Sequence, residues 1–419
     1  MKALVITLRG LPLAYVGCYG NDWVETPALD TLAAEGVVFD RHYSDRPDAA
    51  GARRAWRTGR YHFPLPDGAD ASWPAAADLL ALLRENGVAT RLLLDPRHST
   101  PAEFTAGWDA VTEVRPADSL RAIVLSALEQ LAGAPRWLLW IDLAGLLPPW
   151  EVPAELLDAY FHPQEAGEDE ADEDLEVEEL EPLPNPPVGP LASPADETFL
   201  RIQRTCAAAV THLDAAVGDL WREWRQRGLH DEALLLLTSD HGQALGEHGI
   251  VGPYRPWLHD ELIHLPLILR MPGAAEAGRR VFALTQPVDV MPTLLDAFGV
   301  PPPAPHGHSL LPLARGEVEK IRPYACSGLR CGEAAEWALR TPEWAFLLPV
   351  RPHPDDGARQ PQLYVKPDDR WEVNNVVQHH LDLADHLERV LRAFVGATGQ
   401  PGPLQAPELP DVGGEQAGA

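Results

Sequence analysis

Arg9 and Gly10 close one apolar run, Ala3–Leu8, and Asp240 and His241 close another, Ala233–Thr238. Both runs read as buried strands, and in a parallel sheet ligands gather beyond the C-terminal ends of strands. A carboxylate beside an imidazole at such a point can hold a divalent cation. The same two residues can also serve as turn residues, the carboxylate bonding local backbone. A guanidinium in the same place repels a cation and offers five donors to a carboxylate or an oxyanion.

The elements that must position these residues alternate between strand and helix patterns. Residues 4–8, 37–39, 88–94, 137–143, 233–238 and 265–270 are expected strands. Residues 27–34, 75–85, 119–131, 198–227 and 292–298 are expected helices. Thr26-Pro27 is a good helix start and Gly228 a good stop. Such alternation predicts an α/β fold, a large mostly parallel sheet with helices on both faces. From about Arg315 the pattern changes. Residues 334–340, 345–350 and 362–365 read as a small antiparallel sheet, followed by a helix over 380–394. The expected organisation is therefore a domain over 1–315, a small C-terminal α+β subdomain over 316–395 and a frayed tail over 396–419. An acidic, proline-rich insertion over 163–194 cannot bury enough apolar surface to fold alone, and reads as a solvated loop or as a docking or cation-binding tail.

The chain has 419 residues and a formal net charge of −28, which argues against nucleic acid or an anionic membrane as the main partner. The four cysteines make no zinc pattern and read as free thiols, although Cys326 and Cys331 are close enough in sequence to pair in an oxidising compartment. The first apolar run is too short for a signal-peptide core, and no stretch approaches the roughly 20 apolar residues of a membrane span, so a cytoplasmic location is expected. Trp56, Trp140, Trp150, Trp221, Trp224 and Trp257 read as core packing, with Trp257 as the exception that could face a ligand.

Several segments together resemble the sulfatases of the alkaline-phosphatase superfamily. They are Gly17-Cys18-Tyr19-Gly20, Thr26-Pro27-Ala28-Leu29-Asp30, Thr58-Gly59-Arg60-Tyr61, Thr238-Ser239-Asp240-His241-Gly242 and Gly246-Glu247-His248-Gly249. Gln286-Pro287-Val288-Asp289, Gln362-Leu363-Tyr364 and Asn374-Asn375 extend the likeness to about residue 395. The resemblance implies hydrolysis of sulfate or phosphate esters. That chemistry needs a nucleophile in line with the leaving group, a cation on the non-bridging oxygens and an acid for the leaving oxygen.

By that resemblance most of these groups are missing. The family's metal-binding Asp pair falls on Arg9 and Gly10. Its formylglycine-type Cys-x-Pro-x-Arg motif falls on Ala49-Ala50-Gly51-Ala52-Arg53, where only Arg53 matches. Its histidine positions fall on Asp142 and Leu147, and Asp142 reads as a salvaged acid or a loop cap. Ser44 is a conceivable substitute nucleophile. Asp240 and His241 match a remnant metal half-site, too small a donor set for a hard cation such as calcium, which takes about six to eight oxygens. Residual calcium or magnesium is the cofactor left open; otherwise none is expected. Arg9 is expected to replace the metal against Asp240, and Arg9, Arg53 and Arg255 to form a basic pocket for a sulfate- or phosphate-type anion. Two functions follow: a degenerate sulfatase-like protein acting in anion or partner binding, or an active hydrolase with a nonstandard nucleophile. A metal-independent enzyme of another class is a third possibility that no residue supports.

Overall fold

The structure is a computed structural model that describes residues 1–63, 78–115, 119–162, 180–191, 197–356, 359–400 and 402–409. Its centre is an eight-stranded sheet. In chain order the strands are β1 (Lys2–Leu8), β2 (Val37–Phe39), β3 (Ala89–Leu94), β4 (Ala110–Glu113), β5 (Trp137–Leu143), β6 (Ala233–Thr238), β7 (Leu267–Arg270) and β8 (Arg279–Val281). Across the sheet they run β8-β2-β7-β6-β1-β5-β3-β4. The five from β6 to β4 are mutually parallel, and β7 is antiparallel to both its neighbours. β1, β5 and β6 are buried along almost their whole length, because helices cover both faces and leave no side for alternating polar residues. The expected α/β fold with a mostly parallel sheet is thus present.

The helices form where their caps and apolar faces dictate. α1 (Pro27–Ala34) has proline in its first turn. α2 (Ala49–Thr58) is capped by the Asp48 carboxylate, which accepts from Gly51 N at 2.6 Å, and is closed by Gly59 at φ 61°. α3 (Leu79–Glu85) and α4 (Leu120–Leu131) are capped by Asp78 and Ser119. α5 (Glu197–Gln226) is the longest, and the chain turns out of it at Gly228, φ 71°. α6 (Val290–Ala297) packs against α2.

A second sheet follows, an antiparallel meander of β9 (Ala325–Cys331), β10 (Ala334–Arg340), β11 (Trp344–Arg351) and β12 (Gln362–Val365), with α7 (Leu381–Thr398) packed on it. α7 runs past Gly396, and residues 402–409 are held to the body, where Tyr324 Oη donates to the Pro407 carbonyl at 2.7 Å. The acidic run of the expected insertion lies outside the described residues. Its later part, 180–191, is tied down: Gly189–Pro190 pairs with Ile250–Val251, and Trp150 N donates to the Pro184 carbonyl at 2.8 Å. No helix among the described residues is long and apolar enough to cross a membrane. All four cysteines are free.

Candidate functional site

Three neighbouring strands and one helix bring the charged residues together. β5, β1 and β6 lie side by side, with Thr7 in register with Asp142 on one side and Thr238 on the other. Arg9 and Asp240 follow the ends of β1 and β6, Asp142 sits near the end of β5, and α2 lays Arg53 across all three. Arg9, Arg53, Asp142 and Asp240 are each no more than 1% exposed.

Arg53 is the hub. Its Nη1 donates to Asp240 Oδ2 at 2.9 Å, its Nη2 to both oxygens of Asp142 at 2.8 and 2.7 Å, and its Nε to Asp142 Oδ2 at 3.2 Å. The guanidinium lies 5.5 Å from the ring centre of Phe104 and 5.6 Å from that of Trp56, so its faces meet aromatic carbon and its edges meet carboxylates. Arg9 Nη2 donates to Asp142 Oδ2 at 3.0 Å and also to Thr100 Oγ1, and Arg9 Nε reaches Asp142 Oδ1 at 3.4 Å. Thr7 Oγ1 donates to Asp142 Oδ1 at 2.9 Å. Asp240 Oδ1 accepts from the backbone of Gly10 at 3.2 Å and of His241 at 2.9 Å. Burial pushes the Asp240 carboxyl up, but the positive charges of His241, Arg53 and Arg9 and the Arg53 hydrogen bond outweigh it and hold the group at about 2. For Arg53, burial favours loss of the proton, and the two carboxylates more than reverse this, so its pKa is raised.

This arrangement corrects two expectations. Arg9 pairs with Asp142 rather than Asp240, because β5 carries Asp142 beside β1 and Arg53 already occupies the free side of Asp240. Arg255 is not in this network. The chain beyond β6 takes it to Trp257, where its guanidinium sits 4.5 Å from the ring centre and Arg359 sits 4.7 Å from the same ring. The other expected tryptophans are buried in the core, and Trp56 packs 5.5 Å from Trp140 directly under the Arg53 network.

The remaining site positions are also placed. Gly10 has φ 72°, and a Cβ there would stand 2.8 Å from Leu147 Cδ2 and 3.3 Å from Gln243 Nε2. Gln243 Nε2 donates to the carbonyls of Gly10 at 2.6 Å and Leu146 at 2.9 Å, which fixes this backbone. Ala49 opens α2, and its carbonyl accepts from Arg53 Nη1 at 3.0 Å. His241 Nδ1 is 2.7 Å from the Gly242 carbonyl, and its Nε2 is 3.7 Å from Asp240 Oδ1. Ser44 is buried, with its Oγ 3.5 Å from the Asp240 carbonyl rather than from the carboxylate.

A divalent cation does not fit this donor set. Every oxygen of Asp142 and Asp240 already accepts from a guanidinium, a hydroxyl or a backbone amide, and an ion placed among them would face two guanidinium groups. Among the described residues, one group could hold a metal ion: His248, His259 and Glu261, which shares no hydrogen bond or ion pair with the Arg53 network.

Comparison with known proteins supplies the family. Arylsulfatase K of Bos taurus is 29% identical over 198 residues, covering 45% of this chain and 35% of that protein. The multifunctional alkaline phosphatase superfamily protein PehA of Trinickia caryophylli is 34% identical over 131 residues, 30% of this chain and 25% of that protein. The chain thus spans well under half the length of these curated relatives. Among solved structures, the phosphonate monoester hydrolase of Agrobacterium radiobacter matches with a TM-score of 0.70 at 19% identity, covering 95% of this chain and 96% of that one. The phosphonate monoester hydrolase of Silicibacter pomeroyi matches with a TM-score of 0.67 at 22% identity, covering 94% of each chain. At such identities these two show a shared fold. The family model described as Sulfatase matches residues 4–300, most of the chain and a span that includes Arg9, Arg53, Asp142 and Asp240, and the protein therefore belongs to the sulfatase family.

Proposed function

We propose that this chain is a catalytically silent sulfatase-family protein whose former reaction centre has become a structural ion-pair network. The observation that carries this reading is Arg53, which bonds Asp142 and Asp240 at once in a fully buried setting. A hydrolytic centre of the kind the family resemblance implies needs an attacking group and an electrophilic cation. Here the nucleophile position is Ala49, the position of the metal-binding pair is Arg9-Gly10, and the remaining carboxylate is neutralised by an arginine. Two guanidiniums against two carboxylates make a locally balanced set, so the network needs no ion to be stable.

The same balance bears on anion binding. Sulfate or phosphate would have to displace Asp142 or Asp240 from Arg9 or Arg53, leaving a buried carboxylate unpaired. We therefore assign no sulfate or phosphate ligand to the Arg53 network.

The test is turnover of 4-nitrophenyl sulfate, 4-nitrophenyl phosphate and a phosphonate monoester by the full chain, each with calcium, magnesium or manganese. The expected result is the rate of buffer alone, with no heat of binding on titrating sulfate or phosphate. Metal-dependent turnover that disappears in Asp240→Ala would overturn the proposal in favour of a hydrolase working from Asp240 and His241.

A further inference from the structure

His259 is 1% exposed, and its Nδ1 stands 2.8 Å from Glu372 Oε2. Glu372 is itself held as a carboxylate by Arg340 Nη2 at 2.6 Å and Lys366 Nζ at 3.1 Å. The Nδ1 of His259 therefore carries a hydrogen and donates it, and in the neutral ring Nε2 is the lone-pair nitrogen. Among the described residues nothing reaches that Nε2, although it is buried. An unpartnered buried acceptor with its tautomer fixed from behind by a carboxylate is the arrangement of a metal-ligating histidine.

Two further donors stand beside it. The ring of His248 lies face to face with that of His259, centroids 4.1 Å apart. His248 Nε2 donates to the Trp371 carbonyl at 3.0 Å and its Nδ1 donates to Glu261 Oε1 at 2.7 Å, so a metal ion would take the place of the Nδ1 hydrogen between these two groups. Trp257 Nε1 donates to the same Oε1 at 2.9 Å and orients the carboxylate. Each of the three residues has a ligand atom within 4.8 Å of the other two.

We propose that His248, His259 and Glu261 form a binding site for a transition-metal dication of the zinc class, separate from the Arg53 network. Two imidazoles and one carboxylate suit zinc, cobalt or nickel over calcium or magnesium, which take oxygen ligands. Ligand atoms around zinc stand roughly 3–3.5 Å apart, given bonds of about 2.0–2.2 Å, so the three must draw together on binding. That movement falls on His248 and Glu261, which are less buried than His259. His248 and Glu261 also line a cavity of about 610 Å³ shared with Tyr19, His264, Lys366 and Trp371, which gives the ion a way in and leaves room for a water as fourth ligand. A site with three protein ligands and one open position is able to polarise a bound water or hold a partner's side chain.

The test is zinc content and affinity of the full chain after chelator treatment and dialysis, with cobalt as a spectroscopic substitute. One equivalent of zinc is expected, with visible cobalt bands of a four-coordinate nitrogen–oxygen site. Glu261→Gln and His248→Ala, both at less buried positions, should each weaken binding by at least about tenfold and abolish those bands. His259→Gln should do the same, with circular dichroism as the check on folding. Failure to bind an equivalent of zinc, or equal affinity in Glu261→Gln and His248→Ala, overturns the proposal.

Discussion

Arg53 Nη1 and Asp240 Oδ2 lie 2.9 Å apart, and neither side chain is exposed at all. This single contact joins α2 to the end of β6, while the other arm of the same guanidinium joins α2 to β5 through Asp142. The helix is thereby riveted to strands on both sides of β1, and the sheet's C-terminal edge becomes a closed polar core rather than an open cleft.

Removing the hub should be costly. Arg53→Leu strands two carboxylates without their main partner, and it is expected to lower unfolding stability by about 3–5 kcal/mol. Denaturant titration measures this. Adding Asp142→Asn and Asp240→Asn to Arg53→Leu should recover a large part of the loss, because the stranded charges go with it. A triple variant no more stable than the single one would mean that the arginine acts through packing alone.

The network should also show in the acid limb of stability. Asp240 is held at about 2, below the ordinary carboxylate value near 3.8. A depressed carboxyl contributes stability that is fully present above the unfolded pKa and is lost as pH falls through the folded one. The window is therefore about pH 4 down to about pH 2, and the contribution is about 2 kcal/mol at roughly 1.4 kcal/mol per pH unit. Asp240→Asn should flatten the stability–pH curve in that window when unfolding is followed by tryptophan fluorescence.

Gly10 should resist any side chain. With φ at 72° and Leu147 Cδ2 at 2.8 Å from a would-be Cβ, Gly10→Ala is expected to cost about 1–3 kcal/mol. Leu147→Ala in the same chain would relieve the collision but not the backbone strain, so only part of the loss should return. Thermal melts of the two variants distinguish the two contributions.

The cysteines should react slowly in the folded protein. Burial and the neighbouring Asp30 push the Cys18 thiol up to about 12, and burial, with Asp48 and Glu336, takes Cys331 to about 11. Cys206 and Cys326 are buried outright. A disulfide exchange reagent at pH 8 should therefore titrate almost no thiol in the native state and all four after denaturation. Fewer than four in the denatured chain would reveal a disulfide that the structure lacks.

The parts of this fold that could be read in advance were those with long apolar runs. β1, β5 and β6 announce themselves because both of their faces are covered, and α5 because a thirty-residue periodicity ends in Gly228. β4 was not foreseen, since its exposed edge position leaves Thr112 and Glu113 without an apolar signature. Nor was α2, the element that matters most to the site. Its sequence, Ala49–Thr58, mixes small residues with three arginines, so its apolar side is only Ala52, Ala55 and Trp56 and the other large side chains it buries are charged. The Asp48 cap and the Gly59 stop were the available signals. Without α2, the sequence points to Arg9 as the arginine facing Asp240. The Arg53–Asp142 pairing spans 89 positions and depends on which strands become neighbours, which no local pattern encodes. The contribution of Glu372, far beyond β6, to the His259 environment was hidden for the same reason.

The interlocking of Gly10, Gln243, Arg53 and the two aspartates has a bearing on how this chain can change. An aspartate at position 10 collides with Leu147 and disturbs the Gln243 bonds, and loss of Arg53 alone leaves buried charges bare. A cysteine or serine at position 49 would begin a helix whose first carbonyl is already held by Arg53. The changes at positions 10 and 53 thus each lower stability when made alone. On the proposed reading the centre behaves as a ratchet: it drifts among structural variants, and an ion-binding hydrolytic centre requires several substitutions made together.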